Sequence, residues 1–284
     1  MLRRILAGLA IMATLAAAAG PAAASPGAAG DIVTTTRTPG RQLALTFDDG
    51  PSPEWTPKIL GLLREHQLRA TFCLLGSQAQ AHPDLVRQIA AGGHALCNHT
   101  WDHDYLGAAS PAEIRADLEA TSAAIRTAAG RPGLPIPYFR APYGAWGQTP
   151  QVAASLGMTA LAWSADPQDW DGSGAQALAA RLRAGIHPQA VILSHDGGGD
   201  RAPTWQAYAA VLPEWKTAGW SFDLPATTGG PRPPACTAAP WTAHTAYTGG
   251  ERVTRAGRVY QAGWWTMLED PATAWWVWAD LGPC

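Results

Sequence analysis

Leu43-Ala44-Leu45-Thr46-Phe47-Asp48-Asp49-Gly50-Pro51 starts as a buried strand and ends in charge. The apolar run stops at two adjacent carboxylates, followed by a glycine and a proline that punctuate regular structure. Two ionised aspartates side by side repel, so stability alone does not place them there. Either they stand in water at a loop tip, or a positive group lies between them. The chain on either side has to decide.

Downstream, the strand pattern repeats with helices between. Strands are predicted over residues 42–47, 70–75, 94–98, 138–139, 159–163 and 190–194. Helices are predicted over 54–66, 83–91, 175–184 and 205–218. Another opens at Ser110-Pro111-Ala112-Glu113, a capping box with proline at the first helical position, and runs to near Gly130. Such alternation predicts an α/β fold with a parallel sheet, open or closed into a barrel. In such folds the loops after the strands carry the chemistry. Here Asp48-Asp49 follow the first strand, His99 to His103 the third, and Arg140 to Gly144 the next. Asp166, Asp169 and Trp170 follow Trp163, and His195-Asp196-Gly197 follow Leu193. Ionisable groups thus gather at one end of the sheet.

His99 and His103 are four residues apart, which on a helical turn puts both imidazoles on one face. With one carboxylate from Asp48-Asp49 they make three protein ligands, the catalytic zinc pattern. The second aspartate is then free to act as general base, and the cation, with Arg140, offsets the repulsion.

The chain has 284 residues, enough for one full domain and a small second one. With 20 basic and 22 acidic residues, its charge gives no argument for nucleic acid or an anionic membrane as partner. Residues 1–24 read as a signal peptide: Arg3 and Arg4, an apolar stretch too short to span a bilayer, and small residues Ala22 to Ala24 at a cleavage site. The mature protein is therefore expected to be secreted, extracellular and monomeric. Residues 25–40 read as a disordered leader, 41–225 as the catalytic domain, 226–235 as a linker and 236–284 as a second, tryptophan-rich domain. Four cysteines in an exported chain suggest disulfides. Cys236 and Cys284 bracket the last segment and are expected to pair; Cys73 and Cys97 form either a bridge or two buried thiols.

The motifs from Gln42 to Asp223 resemble the NodB-type polysaccharide deacetylases, carbohydrate esterase family 4: Thr46-Phe-Asp-Asp-Gly50, His99-Thr-x-x-His103, Arg140-x-Pro-Tyr143, Asp166-x-x-Asp169-Trp170 and Leu193-x-His195. The resemblance implies a distorted (β/α) barrel with fewer than eight regular units. It implies that Asp49, His99 and His103 bind a metal, usually zinc, with cobalt an alternative. Asp48 becomes the general base, oriented by Arg140, and His195 the general acid, tuned by Asp169. The Tyr143 N–H helps stabilise the oxyanion. Trp170 and Leu193 line the acetyl pocket, and Trp163 walls the sugar site.

The stretch from Trp241 to Thr266 resembles the chitin-binding carbohydrate modules of families 5 and 12, with Trp264 and Trp265 as candidate sugar platforms. If extended, these two neighbours point to opposite faces; at a bend both can be presented. The expected activity is deacetylation of chitin or chitooligosaccharides, with acetylxylan, peptidoglycan or an inactive sugar-binding barrel as alternatives.

Overall fold

The computed structural model describes residues 30–228, 238–255, 258–274 and 277–283. The signal peptide, Cys236, Cys284, Trp275 and Trp276 lie outside them.

The first domain is a curled parallel sheet, an incomplete barrel with helices on its outside. In chain order it runs β1 (Ile32–Val33), β2 (Gln42–Gly50), α1 (Thr56–Glu65), β3 (Thr71–Leu74), α2 (Gly76–Ala81), α3 (Pro83–Ala91) and β4 (Ala95–Asn98). Next come α4 (Pro111–Ala128), β5 (Tyr138–Phe139), a 3-10 turn at Pro142–Gly144, α5 (Thr149–Ser155) and β6 (Thr159–Leu161). It ends with α6 (Ala175–Gly185), β7 (Ala190–His195), α7 (Ala202–Thr217) and β8 (Ser221–Phe222). The strand order is β1-β6-β5-β4-β3-β2-β7, with β8 beside the start of β2. Irregular bonds bridge the two ends: Ala165 pairs with Ile192 and its carbonyl accepts from Leu193 N at 2.9 Å.

Two-residue periodicity sorts the strands into two faces. Leu43, Leu45 and Phe47 of β2, Phe72 of β3, Leu96 of β4, Phe139 of β5 and Ile192 of β7 join the large core under the helices. The alternate residues Ala44, Cys73, Cys97, Tyr138, Leu161 and Val191 form a small separate core on the inner face. Continuing that inner parity toward the strand ends gives Thr46 and Asp48, His99, Arg140, Trp163, and Leu193 and His195. The motif residues are therefore the upper layers of the barrel interior. α4 begins as its sequence predicts: Ser110 Oγ accepts from Glu113 N at 3.4 Å and Glu113 Oε2 accepts from Ser110 N at 2.8 Å.

Cys73 and Cys97 face each other across paired β3 and β4 and are joined as a disulfide, their Cα atoms 4.1 Å apart. Two boundaries shift from expectation. Residues 30–40 are not a disordered leader: β1 pairs with β6, Thr35 bridges Ala190, and Thr36 is buried against Pro225. The linker starts later than residue 226, because Ala226 N donates to Thr35 O and Thr228 N to Thr159 Oγ1.

The C-terminal segment is a three-stranded antiparallel sheet of β9 (Arg252–Arg255), β10 (Arg258–Ala262) and β11 (Trp278–Pro283). Tyr247, Val253, Tyr260, Val277 and Trp278 form its core, with Trp241 packed against it.

Candidate active site

Strand β2 continues through both aspartates instead of stopping before them. Its pairing with β3 skips Asp49: Asp48 is opposite Cys73 and Gly50 opposite Leu74. Asp49, at φ 70°, is the extra residue of a β-bulge. Strict alternation would send neighbouring side chains to opposite faces; the bulge and left-handed backbone bring both carboxylates to the barrel mouth. Gly197 and Gly198 make room for this bulge. A Cβ on Gly197 would meet the Asp49 carbonyl at 2.1 Å, and one on Gly198 would meet Asp49 Oδ2 at 2.5 Å.

Arg140 is fully buried and answers the charge of Asp48. Its Nη1 donates to Asp48 Oδ1 at 2.7 Å and to Thr46 Oγ1 at 2.8 Å. Nε and Nη2 donate to the carbonyls of Leu161 and Ala162 at 3.0 and 3.1 Å. Trp163 lies over the guanidinium, 5.7 Å from its carbon to the ring centre. Asp48 Oδ2 is left facing His99, 3.7 Å from Nε2.

His99 and His103 do converge, but not on a helical turn: residues 99–103 form an irregular bend, with Thr100 and His103 at φ 66° and 64°. Side-chain bonds from neighbouring elements hold the bend. Asn98 Oδ1 accepts from Thr100 N, while Asn98 Nδ2 donates to Leu118 O and Ser122 Oγ of α4. Asp117 accepts from Trp101 N, and Gly76 and Ser77 at the start of α2 donate to the carbonyls of Thr100 and Trp101. Burial, despite the Trp101 bond and aided by the charges of Asp104 and Asp102, pushes the Asp117 carboxyl up to about 6.

These residues fit a metal ion. Asp49 Oδ1 is buried without a hydrogen-bond partner and stands 3.5 Å from Nε2 of both His99 and His103. That spacing matches the roughly 3.4 Å between ligands set about 2.0–2.2 Å from one tetrahedral zinc. The three ligand atoms lie within 4.8 Å of one another. His99 Nδ1 is 2.8 Å from the Arg140 carbonyl, which fixes its proton there and leaves Nε2 as the lone-pair donor. Burial alone would raise the Asp49 carboxyl, but the imidazoles of His99, His195 and His103 outweigh it and hold it well below the usual carboxylate range. Burial, with the like charges of His99 and His195, outweighs the attraction of Asp49 and Asp48 and lowers His103, favouring the neutral ring a metal needs.

On the opposite side, His195 is paired in register with Asp48. Its Nδ1 is 2.7 Å from Asp169 Oδ1, and its backbone N donates to Asp169 Oδ2 at 2.9 Å. Burial alone would lower the imidazole; the hydrogen bond and charge of Asp169, with the charges of Asp48 and Asp49, overcome it and raise the pKa. Tyr143 sits in the 3-10 turn at φ 59°. Its ring meets His103 edge-on at 4.5 Å, and its backbone N–H is without a bonded acceptor among the described residues. Four non-glycine residues with positive φ thus cluster here, where function holds strained backbone. Leu193 is buried on the inner face, whereas Trp170 stands 57% exposed. Sequence reasoning named Thr46 only as the first residue of a motif, with no role, and missed Asn98, Asp117, Arg201 and Thr204; for Thr46 the usable signal is its inner-face parity with Asp48.

Residues 35–161 match the polysaccharide deacetylase family, and residues 240–277 match carbohydrate-binding module family 5/12. A chitooligosaccharide deacetylase of Bradyrhizobium sp. (strain ANU 289) is 40% identical over 158 residues, covering 55% of this chain and 71% of that protein. A peptidoglycan-N-acetylglucosamine deacetylase of Bacillus cereus is 34% identical over 183 residues, covering 63% of this chain and 84% of its own. The solved structure of a family 4 acetyl xylan esterase from Clostridium thermocellum, in complex with a cobalt ion, superposes with a TM-score of 0.59 at 28% identity, covering 64% of this chain and 87% of that one. The barrel with its Asp-His-His site belongs to the polysaccharide deacetylases, carbohydrate esterase family 4, and the chain carries a carbohydrate-binding module of family 5/12 at its C-terminal end.

Proposed function

We propose that this enzyme is secreted and removes N-acetyl groups from chitin or chitooligosaccharides, releasing acetate. The observation that carries the substrate is the coupling of a deacetylase barrel to a family 5/12 module that exposes Trp264 and Trp265. Residues 1–24 are its signal peptide, the barrel with its first strand at Ile32 and its last ties at Thr228 is the catalytic domain, and the segment that holds β9 to β11 is the chitin-binding domain. The enzyme acts as a monomer on an acetylated polysaccharide, without nucleic acid or membrane.

Asp49, His99 and His103 would hold zinc, or cobalt in its place. When bound, the ion supplies Lewis-acid polarisation of the amide carbonyl and a water of lowered pKa. The chain supplies the proton transfers. Asp48, aimed by its hydrogen bond from Arg140, accepts the proton as the water oxygen bonds to the carbonyl carbon. The Tyr143 N–H donates to the oxyanion. His195, charged and oriented by Asp169, delivers a proton to the nitrogen as the C–N bond breaks, leaving acetate and a free amine. Trp163, Trp170 and Leu193 border the bound acetyl group and sugar.

The test is acetate release from chitooligosaccharides, acetylxylan and peptidoglycan in parallel, with chelator and with zinc or cobalt restored. Chelator-sensitive release from chitooligosaccharides alone is the expected result. Release from acetylxylan alone moves the reading to an esterase, for which the fold shared with an acetyl xylan esterase is the supporting observation.

A further inference from the structure

The Asp169–His195 pair is held by one residue of the next helix, α7, and one just before it, neither contained in any motif. Thr204, in the first turn of α7, is 2% exposed, and its Oγ1 donates to Asp169 Oδ2 at 2.8 Å. Arg201, just before that turn, is 6% exposed and spends its guanidinium on main-chain carbonyls. Nη1 donates to Asp169 O at 3.0 Å, Nε to Gly197 O at 2.7 Å and Nη2 to Gly198 O at 3.4 Å.

We propose that Thr204 and Arg201 are positioning residues for the general acid. A carboxylate bonded only to an imidazole can rotate about its Cβ–Cγ bond and exchange oxygens. Asp169 is prevented from doing so because Oδ2 receives two donors, Thr204 Oγ1 and the His195 N–H. Turning the carboxylate would break both. Oδ1 therefore stays on Nδ1, and Nε2 stays turned away from Asp169 as the proton-delivering nitrogen. Arg201 works one level back. Its planar fork ties the backbone of Asp169 to the Gly197-Gly198 loop, which packs directly on Asp49. The acid and the metal-binding bulge thereby share one rigid support. A lysine could not span three carbonyls in one plane.

The proposal rests on the reading of His195 as the acid, and the experiment separates the two. Thr204→Val keeps the shape and removes the hydroxyl; Thr204→Ser keeps the hydroxyl. kcat and KM are measured on the soluble acetylated oligosaccharide the wild-type chain turns over fastest, with metal content and Tm followed for each variant. Thr204→Val is expected to lower kcat about 10-fold, the worth of one hydrogen bond to a charged group, with KM changed less than about twofold and metal content intact. Thr204→Ser should recover most of the rate, and Arg201→Lys should again lower kcat rather than raise KM. In a His195→Asn background, Thr204→Val should cost nothing further, because the two act through one group. Wild-type kcat in Thr204→Val, a serine variant as slow as valine, or a full additional loss in the His195→Asn background would each overturn the positioning role. A His195→Asn enzyme that turns over at the wild-type rate would instead overturn the assignment of the acid.

Discussion

At the scale of single residues, the paired aspartates divide their labour by what surrounds each. Asp48 is bound to a guanidinium, whereas Asp49 Oδ1 has no hydrogen-bond partner among the described residues and stands 3.5 Å from two imidazole nitrogens. Two substitutions that look equivalent in sequence should therefore behave differently. Asp48→Asn leaves the ligand set whole, so metal content should stay at one ion per chain by elemental analysis. Its turnover should drop by about 10²–10⁴, the usual worth of a general base. It should also lower Tm, because buried Arg140 loses its counter-charge while keeping a neutral acceptor. Asp49→Asn and His99→Ala should lose metal and activity together. If Asp48→Asn loses the metal and Asp49→Asn keeps it, the two roles are exchanged.

At the scale of elements, the β3–β4 pair carries two separable contributions. The Cys73–Cys97 disulfide closes a sequence separation of 24 residues, for which chain entropy gives about 3.5 kcal/mol. Both cysteines are fully buried, so reductant should reach them only once denaturant opens the barrel. A Cys73→Ala/Cys97→Ala double variant should lose stability of that order in urea unfolding. His94, at the entrance to β4, accepts from Ala70 N through Nδ1 at 3.2 Å and packs edge-on against Phe72. Burial, with the charge of Arg69, lowers its pKa from 6.5 to about 4. The unfolded chain therefore binds the proton more readily between these values, and this contribution to stability falls as pH drops from about 6.5 to 4. Buried carboxyls raised in pKa, Asp117 and Asp196, act in the opposite sense, so the readout is a difference. The Tm of wild type should fall more steeply than that of His94→Asn over this range. Much of this architecture was legible in sequence because long, strongly patterned elements announce themselves: α4 through its capping box, β2 and β7 through apolar runs ending in charge. The misses were short or set by tertiary contact. β1, β8, α2 and α5 are too brief to show a period, and β1 exists because β6 offers it an edge. The spacing of four between His99 and His103 suits a helical turn, yet the bend that carries them is irregular. What shapes it instead is a set of bonds from Asn98, Asp117 and the start of α2, which no local pattern reveals.

At the scale of the whole molecule, the chain joins a buried chemistry to an exposed platform. Trp264 and Trp265 do not alternate as strand neighbours would. A bend at Gly263 and Trp264, pinned by two hydrogen bonds between Tyr247 and Thr266, leaves them 57% and 61% exposed. The module's core is supplied by other aromatics, Tyr247, Tyr260 and Trp278, so the exposed pair is not needed to hold it together. Stacking on a sugar face is worth roughly 1–3 kcal/mol per ring, by analogy with other aromatic stacking. Trp264→Ala and Trp265→Ala should each weaken retention on insoluble chitin by about 5- to 100-fold while leaving Tm nearly unchanged. Hydrolysis of short soluble oligomers should not change, because those substrates need only the barrel mouth. Hydrolysis of crystalline polymer should fall, since the module raises the local concentration of enzyme at the surface. Truncation after Pro234 should reproduce both effects at once. Chitin retention that survives truncation would remove the module's role and, with it, the main support for chitin over the other acetylated polymers.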